Sequence, residues 1–279
     1  MKKFFISLFI LVILLSACAQ EAPKIPVSTA STIALPKDEK ITESTSDGMF
    51  TYDIYKTYAE VTGYLADASD VIVPAAINGV PVLSIGKNSF SYLTHVTKVT
   101  LPYTITNIAN YSFVGCENLE SINFPEGLIS IGTYAFRRTK LNSVVFPESL
   151  TNIGKYAFGE TLIKTIKIPD NIVKMGDYVF YGCIYLESFE IPPVLTVIPK
   201  RMFYSCPSLR EVVIPDFVTH IDDYAFSTCE NLERIYIPAT VTKIGEGAFY
   251  NCPNLTIVTP SGSAAEKYAI NYKINYIKE

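Results

Sequence analysis

The chain has 279 residues, 49% of them hydrophobic and 18% charged, which is ample apolar material for a core. Its formal net charge is −4, and without Lys2 and Lys3 it becomes −6 (21 basic against 27 acidic residues). That balance argues against a nucleic-acid partner held by phosphate contacts.

In chain order the first element is an export leader. Lys2 and Lys3 precede the apolar run Phe4 to Leu15, which is too short to span a bilayer comfortably. The run ends in Leu15-Ser16-Ala17-Cys18, which resembles the bacterial lipobox. That resemblance implies that residues 1–17 are a lipoprotein signal peptide. It also implies that Cys18 is acylated and anchors the mature chain, exported and facing outside, to a bacterial membrane. Each buried CH₂ of an acyl chain contributes roughly 0.8 kcal/mol. Residues 18–47 are rich in Ser, Thr, Pro, Lys and Glu and read as a lipidated flexible tether, with a root-mean-square span of about 30 Å. Residues 48–81 read as an N-terminal β cap, with Asn78-Gly79 as a type I′ turn.

Residues 82–263 repeat one phrase eight times, I-G-x-Y-A-F-x-x-C-x-x-L-x-x-V-x-I-P-x-x-V-T. Its phenylalanines are Phe90, Phe113, Phe136, Phe158, Phe180, Phe203, Phe226 and Phe249, spaced 23, 23, 22, 22, 23, 23 and 23 residues apart. A fixed period of this size marks a solenoid. In the unit from Val218 to Thr240, Ile235 and Ile237 alternate with Arg234 and Tyr236, the pattern of a strand with one buried face. Pro238 ends that strand, and each unit has the same proline. The segment from Ile221 to Phe226 reads as an extended stretch followed by a turn or 3₁₀ element on the opposite wall. Two units are one residue short and have Thr139 and Thr161 in place of cysteine. Residues 264–279 read as a C-terminal cap, a short helix with Ser263 as N-cap and a last strand.

The phrase L-x-x-V-x-I-P-x-x-V-T-x-I-G-x-x-A-F-x-x-C resembles the BspA-like leucine-rich repeats of bacterial surface proteins. The resemblance implies a horseshoe-like, mostly β leucine-rich repeat solenoid, with one parallel strand per repeat. It also implies adhesion, to host matrix proteins or to neighbouring cells.

Candidate chemistry is sparse. Cys116, Cys183, Cys206, Cys229 and Cys252 share one repeat position and are odd in number, so they read as a row of buried thiols rather than disulfides. No C-x-x-C pair suggests zinc. His95 and His220 occupy different repeat positions, and no nucleophile pairs with either. No cofactor, small-molecule substrate or enzymatic activity is expected. Tyr111, Tyr134, Tyr156, Tyr178 and Tyr224 share another position and read as a stacked row, with a sticky stripe for glycan or protein as the alternative.

The outward strand positions are the expected recognition surface. One row holds Lys98, Ser121, Ser143, Thr165, Ser188, Glu211 and Arg234. The second holds Thr100, Asn123, Val145, Lys167, Glu190, Val213 and Tyr236. A flat, Ser/Thr-lined sheet suits an extracellular protein or polysaccharide ligand better than a small molecule. The alternative is a structural lipoprotein of the cell envelope without an external ligand.

Overall fold

A computed structural model describes Leu35 and residues 39–279. The leader, the lipobox with Cys18 and most of the tether lie outside the described residues. From Lys40 the chain is paired. Strands β1 (Lys40–Ser46), β2 (Phe50–Tyr55) and β3 (Ala59–Tyr64) form an antiparallel meander. The stretch read as tether therefore contains a strand. Composition misses it because β1 is ordered by pairing along the edge of β2, with Lys40 Nζ 2.9 Å from Asp53 Oδ2, while Lys40, Ile41 and Ser46 stay exposed. The hairpin at Asn78-Gly79 forms as expected, with φ of 52° and 80° at the two central residues.

From residue 70 onward the chain winds as stacked coils with two β walls. The first wall carries the expected strands. These include Lys98–Thr100, Ser121–Ile122, Thr165–Ile166, Ser188–Phe189, Glu211–Val213 and Arg234–Tyr236. Asp70–Ile72 precedes them, and Thr256–Thr259 and Asn275–Lys278 follow. Neighbours pair in parallel and in register, as in Glu211, Arg234, Thr256 and Asn275. The wall is interrupted at Ser143 to Val145, where no strand forms, and again between Ser188–Phe189 and Glu211–Val213, which belong to separate sheets. The unit of Ser143 is one residue short. Its Thr139 hydroxyl donates to the Phe136 carbonyl at 2.9 Å, and Thr161 repeats that bond to Phe158 in the next unit. The shortened turn closes on itself there instead of on the preceding coil.

The opposite wall adds a second ladder. Two-residue strands at Asn107–Ile108, Ser130–Ile131, Asn152–Ile153 and Lys174–Met175 continue the sheet of β1 to β3 through Val80–Ile85. Val197–Ile198, His220–Ile221 and Lys243–Ile244 form a separate ladder. The expected turn follows, closed by bonds such as Cys116 N to Phe113 O at 3.2 Å. Alternate residues of that turn bond to the next coil, as in Phe113 N to Ala135 O at 2.8 Å. The alternation needs two left-handed residues per coil. They lie two before and two after each phenylalanine, at Tyr134 (φ 58°) and Arg138 (φ 61°) in one unit.

The core is a column of rings. Phe113, Phe136 and Phe158 are fully buried and stack with centroids 5.2 and 5.4 Å apart. The column is plugged at both ends, as a terminal repeat requires. Tyr64 lies 5.7 Å from Phe90 at one end. At the other, Tyr268 meets Phe249 edge-on at 5.7 Å from helix α1 (Ala264–Tyr272). Ser263 caps α1 as expected, accepting from Glu266 N, and the Glu266 carboxylate accepts from Gly262 N.

Candidate functional surfaces

The first wall brings the expected surface residues together on its outer side. Lys98, Thr100, Ser121, Asn123, Ser143 and Thr165 are all exposed or half-buried, as are Lys167, Ser188, Glu190, Glu211 and Arg234. Tyr236 is half-buried. Two of these side chains have local work. Asn123 accepts from Leu101 N at 2.7 Å and donates to Leu101 O at 2.9 Å, closing the gap between coils. Arg234 donates to the Tyr236 hydroxyl at 3.4 Å. Val145 and Val213 stand out on the same side at 85% and 59% exposure. A cavity of about 560 Å³ opens beside Tyr236, lined by Ile214, Pro238, Val258 and Glu279. Another of about 410 Å³ lies at the C-terminal cap between Tyr250, Cys252, Tyr268 and Tyr272.

The charges on this wall have an order that sequence reasoning missed. The residue five before each proline reads Lys164, Glu187, Arg210 and Glu233 in successive coils. Arg210 and Glu233 pair at 3.2 Å. Two before the proline, Lys167 is followed by Glu190. The row two before the proline, taken at the repeat period without regard to sign, hides this order, and reading the row five before it at the same period exposes the alternation.

The tyrosine row is a stack. Rings of Tyr111, Tyr134, Tyr156 and Tyr178 follow at 5.1, 4.7 and 4.2 Å. Arg201 takes the next place, its guanidinium 5.5 Å from the Tyr178 ring and 4.8 Å from Tyr224, with a 2.8 Å bond to the Tyr178 hydroxyl. Ring faces within this row are spent on one another. Tyr181 and Tyr204 stack likewise at 5.2 Å, and Tyr250 is exposed at the end of that row.

The five repeat cysteines are free thiols. Each donates to the phenylalanine carbonyl of the preceding coil, as Cys116 to Phe90 at 2.9 Å and Cys229 to Phe203 at 3.1 Å. Burial pushes Cys116 up to about 12 and Cys183 and Cys252 up to about 11. Cys206 and Cys229 rise for the same reason. The thiolate is the reactive form, so these groups are inert near neutral pH. Titration with a chromogenic disulfide at about pH 8 should therefore find the repeat thiols silent until denaturant is added, with half-buried Cys252 reacting first. Prompt reaction of Cys206 or Cys229 in the native state would contradict this.

His95 stacks 6.2 Å from Tyr64, and His220 Nδ1 lies 2.8 Å from Thr219 Oγ1, in separate repeats. Among the described residues no group of three or more His, Cys, Asp or Glu could hold a metal ion. No helix among them is long and apolar enough to cross a membrane. A polar ladder on the second wall also went unforeseen. Ser84 donates to Glu60 Oε2 at 2.7 Å, Asn107 to Ser84 at 3.0 Å and Ser130 to Asn107 at 2.6 Å. Burial raises the Glu60 carboxyl above its usual value, partly offset by the Ser84 bond.

Comparison with known proteins bears on the coils directly. The family model for the BspA type leucine rich repeat region matches in six copies, over residues 83–194 and 151–276. A leucine-rich repeat protein from Bacteroides ovatus ATCC 8483 is similar in structure, with a TM-score of 0.62 and 25% identity over 80% of this chain and 71% of that one. The T. pallidum leucine-rich repeat protein shares the fold, with a TM-score of 0.58 and 23% identity over 85% of this chain and all of that one (100%). No curated protein matches the chain.

Proposed function

The chain belongs to the BspA-type leucine-rich repeat family, and from that premise we propose that it is a lipid-anchored cell-surface protein. Its first wall binds protein or glycan outside the cell, in adhesion or host contact. A repeat scaffold of this kind offers an extended face for a macromolecule and not an enclosed site for catalysis. The observation that carries the reading is the outer side of that wall, where the side chains left free by the repeat point outward in two rows. Arg234 and Tyr236 are the favoured anchors, because they stand together in the most regular part of the wall and belong to residue types that dominate binding energy. The anchor itself rests on Leu15-Ser16-Ala17-Cys18, with the residues that follow holding the coils off the membrane.

The test is capture of matrix proteins and glycans from an array by the full chain. Exchange of Arg234 and Tyr236 for alanine should weaken capture by at least about tenfold at an unchanged melting temperature. Capture that survives the exchange would move the binding face elsewhere. Absence of any capture would favour the scaffold role. A Cys18→Ser chain should lose its acyl label, and label retained in that variant would refute the anchor.

A further inference from the structure

The charge order of the first wall is self-complementary. Two residues before each proline, six successive coils present Asn123, Val145, Lys167, Glu190, Val213 and Tyr236. The midpoint of that row falls between the coils of Thr165 and Ser188, which pair in parallel register. A half-turn about an axis along the strands at that midpoint, lying in the plane of contact, sets the wall of one copy face to face on another. It reverses the order of coils and keeps the strand direction. Lys167 then lies over Glu190 of the second copy, and Glu190 over its Lys167. Val145 lies over Val213 of the second copy, so the two exposed valines cover each other. In the row two residues earlier Thr165 meets Ser188, Ser143 meets Glu211 and Ser121 meets Arg234. In the flanking row Lys164 meets Glu187, and Asn142 meets Arg210. The one like-charge meeting is Glu120 over Glu233, at the outermost coils, and Glu233 is already paired with Arg210 of its own copy at 3.2 Å.

We propose that the first wall recognises a second copy of this chain, face to face about this axis. The proposal rests on the reading above that this wall is the binding face, and names its partner. A random arrangement of charges has no reason to match itself under a half-turn. Here the central charged pair, the flanking apolar pair and the hydroxyl pair all do. Packed sheets cross at about 30°, which leaves the central coils in register and loosens the outer ones. The contact is small. Six coils at about 4.8 Å and a width of about 12 Å give about 350 Å² per copy, against about 800 Å² for a stable pair. Single contacts are therefore weak, in the range of about 10 μM to 1 mM. Many anchored copies on opposed surfaces would add up by avidity.

Beads coated with the full chain test this, because display multiplies a weak contact. Wild-type beads should cluster, and clustering should fall in high salt. Lys167→Glu beads should not cluster with themselves, nor should Glu190→Lys beads, each at least about tenfold less than wild type. Beads of the two variants mixed together should cluster. In that mixture the carboxylate introduced at position 167 faces the ammonium introduced at position 190, and the native Glu190 of the first variant faces the native Lys167 of the second. The double variant should also cluster alone. Any association through the apolar run of Phe4 to Leu15 is common to all variants and cannot produce this pattern. Wild-type beads that stay dispersed, or variants that cluster alike alone and mixed, would overturn the proposal. If self-clustering fails while the Arg234 and Tyr236 exchange still abolishes array capture, the wall is a binding face for another partner and only the self-recognition is lost.

Discussion

Phe136→Ala should lower the stability of the coils by about 3–5 kcal/mol, as large an effect as any single truncation in the ring column. The ring is fully buried and has three ring neighbours. It stacks on Phe113 at 5.2 Å and on Phe158 at 5.4 Å, and Phe124 meets it edge-on at 5.5 Å. Removing it opens a cavity between coils whose backbones are held on both sides, by Phe113 N to Ala135 O and by Phe136 N to Ala157 O, each at 2.8 Å. Those bonds prevent the coils from closing the gap, so the cavity cost is added to the lost transfer free energy. Each repeat touches only its neighbours, so a break in the middle of the array uncouples two halves. Chemical denaturation followed by circular dichroism should show a lower midpoint and a broader transition. Tyr134→Ala, in the half-buried outer stack of the same unit, should cost less than half as much. A loss below about 1 kcal/mol for Phe136→Ala would mean that the ring column relaxes freely and that the walls alone hold the array.

The fold was legible because its main constraints recur in the residues themselves. Phe, Leu and Ile at fixed positions mark the inward face. Proline marks the end of each strand, and Asn78-Gly79 announces its turn. The cysteine row was readable for the same reason, since one repeat position can have only one environment. What sequence left hidden depends on backbone conformation or on neighbouring coils. Glycine after the isoleucine suggests a bend, yet the left-handed residues lie two further on, at Tyr111, Tyr134, Tyr156 and Tyr178. Tyrosine is a poor signal for that conformation, and its stack with like residues one coil away hides the strain from any local reading. The threonine that ends the phrase is another case. Thr106, Thr151 and Thr219 donate to carbonyls one coil back at 3.2–3.3 Å, a role visible only once the coils are stacked. Of the candidate surface, the positions could be read but not the charge relation among them. Lys167 and Glu190 are distant in sequence and belong to adjacent coils of the wall.

The glycine column gives the second large effect. Gly154→Val should cost more than Gly154→Ala, and the alanine itself about 1–3 kcal/mol. A Cβ built at residue 154 would stand 2.4 Å from Thr133 N and 2.5 Å from Gly132 C. Both are backbone atoms of the coil before, so nothing flexible can move aside. The coil after nests in the same way, a Cβ at residue 176 standing 2.9 Å from Gly154 C. Relief requires opening the second wall, where Gly154 N donates to Ile131 O at 2.8 Å. Amide exchange at residue 154 should therefore accelerate in the alanine variant before global unfolding does. Ala109, Pro199 and Asp222 show that the position tolerates a side chain elsewhere, so the constraint belongs to the coils that keep glycine, Gly86 and Gly245 included, where an added Cβ would stand 2.5 Å from Val61 O and from Asp223 N. Gly48 separates space from conformation. Its φ is +94° with nothing within 4 Å of an added Cβ, so Gly48→Ala carries only conformational cost, about 1 kcal/mol, and leaves exchange at residue 154 unchanged. Equal exchange in wild type and Gly154→Ala would mean that the coils yield elsewhere, and that close backbone approach is not what keeps glycine in this column.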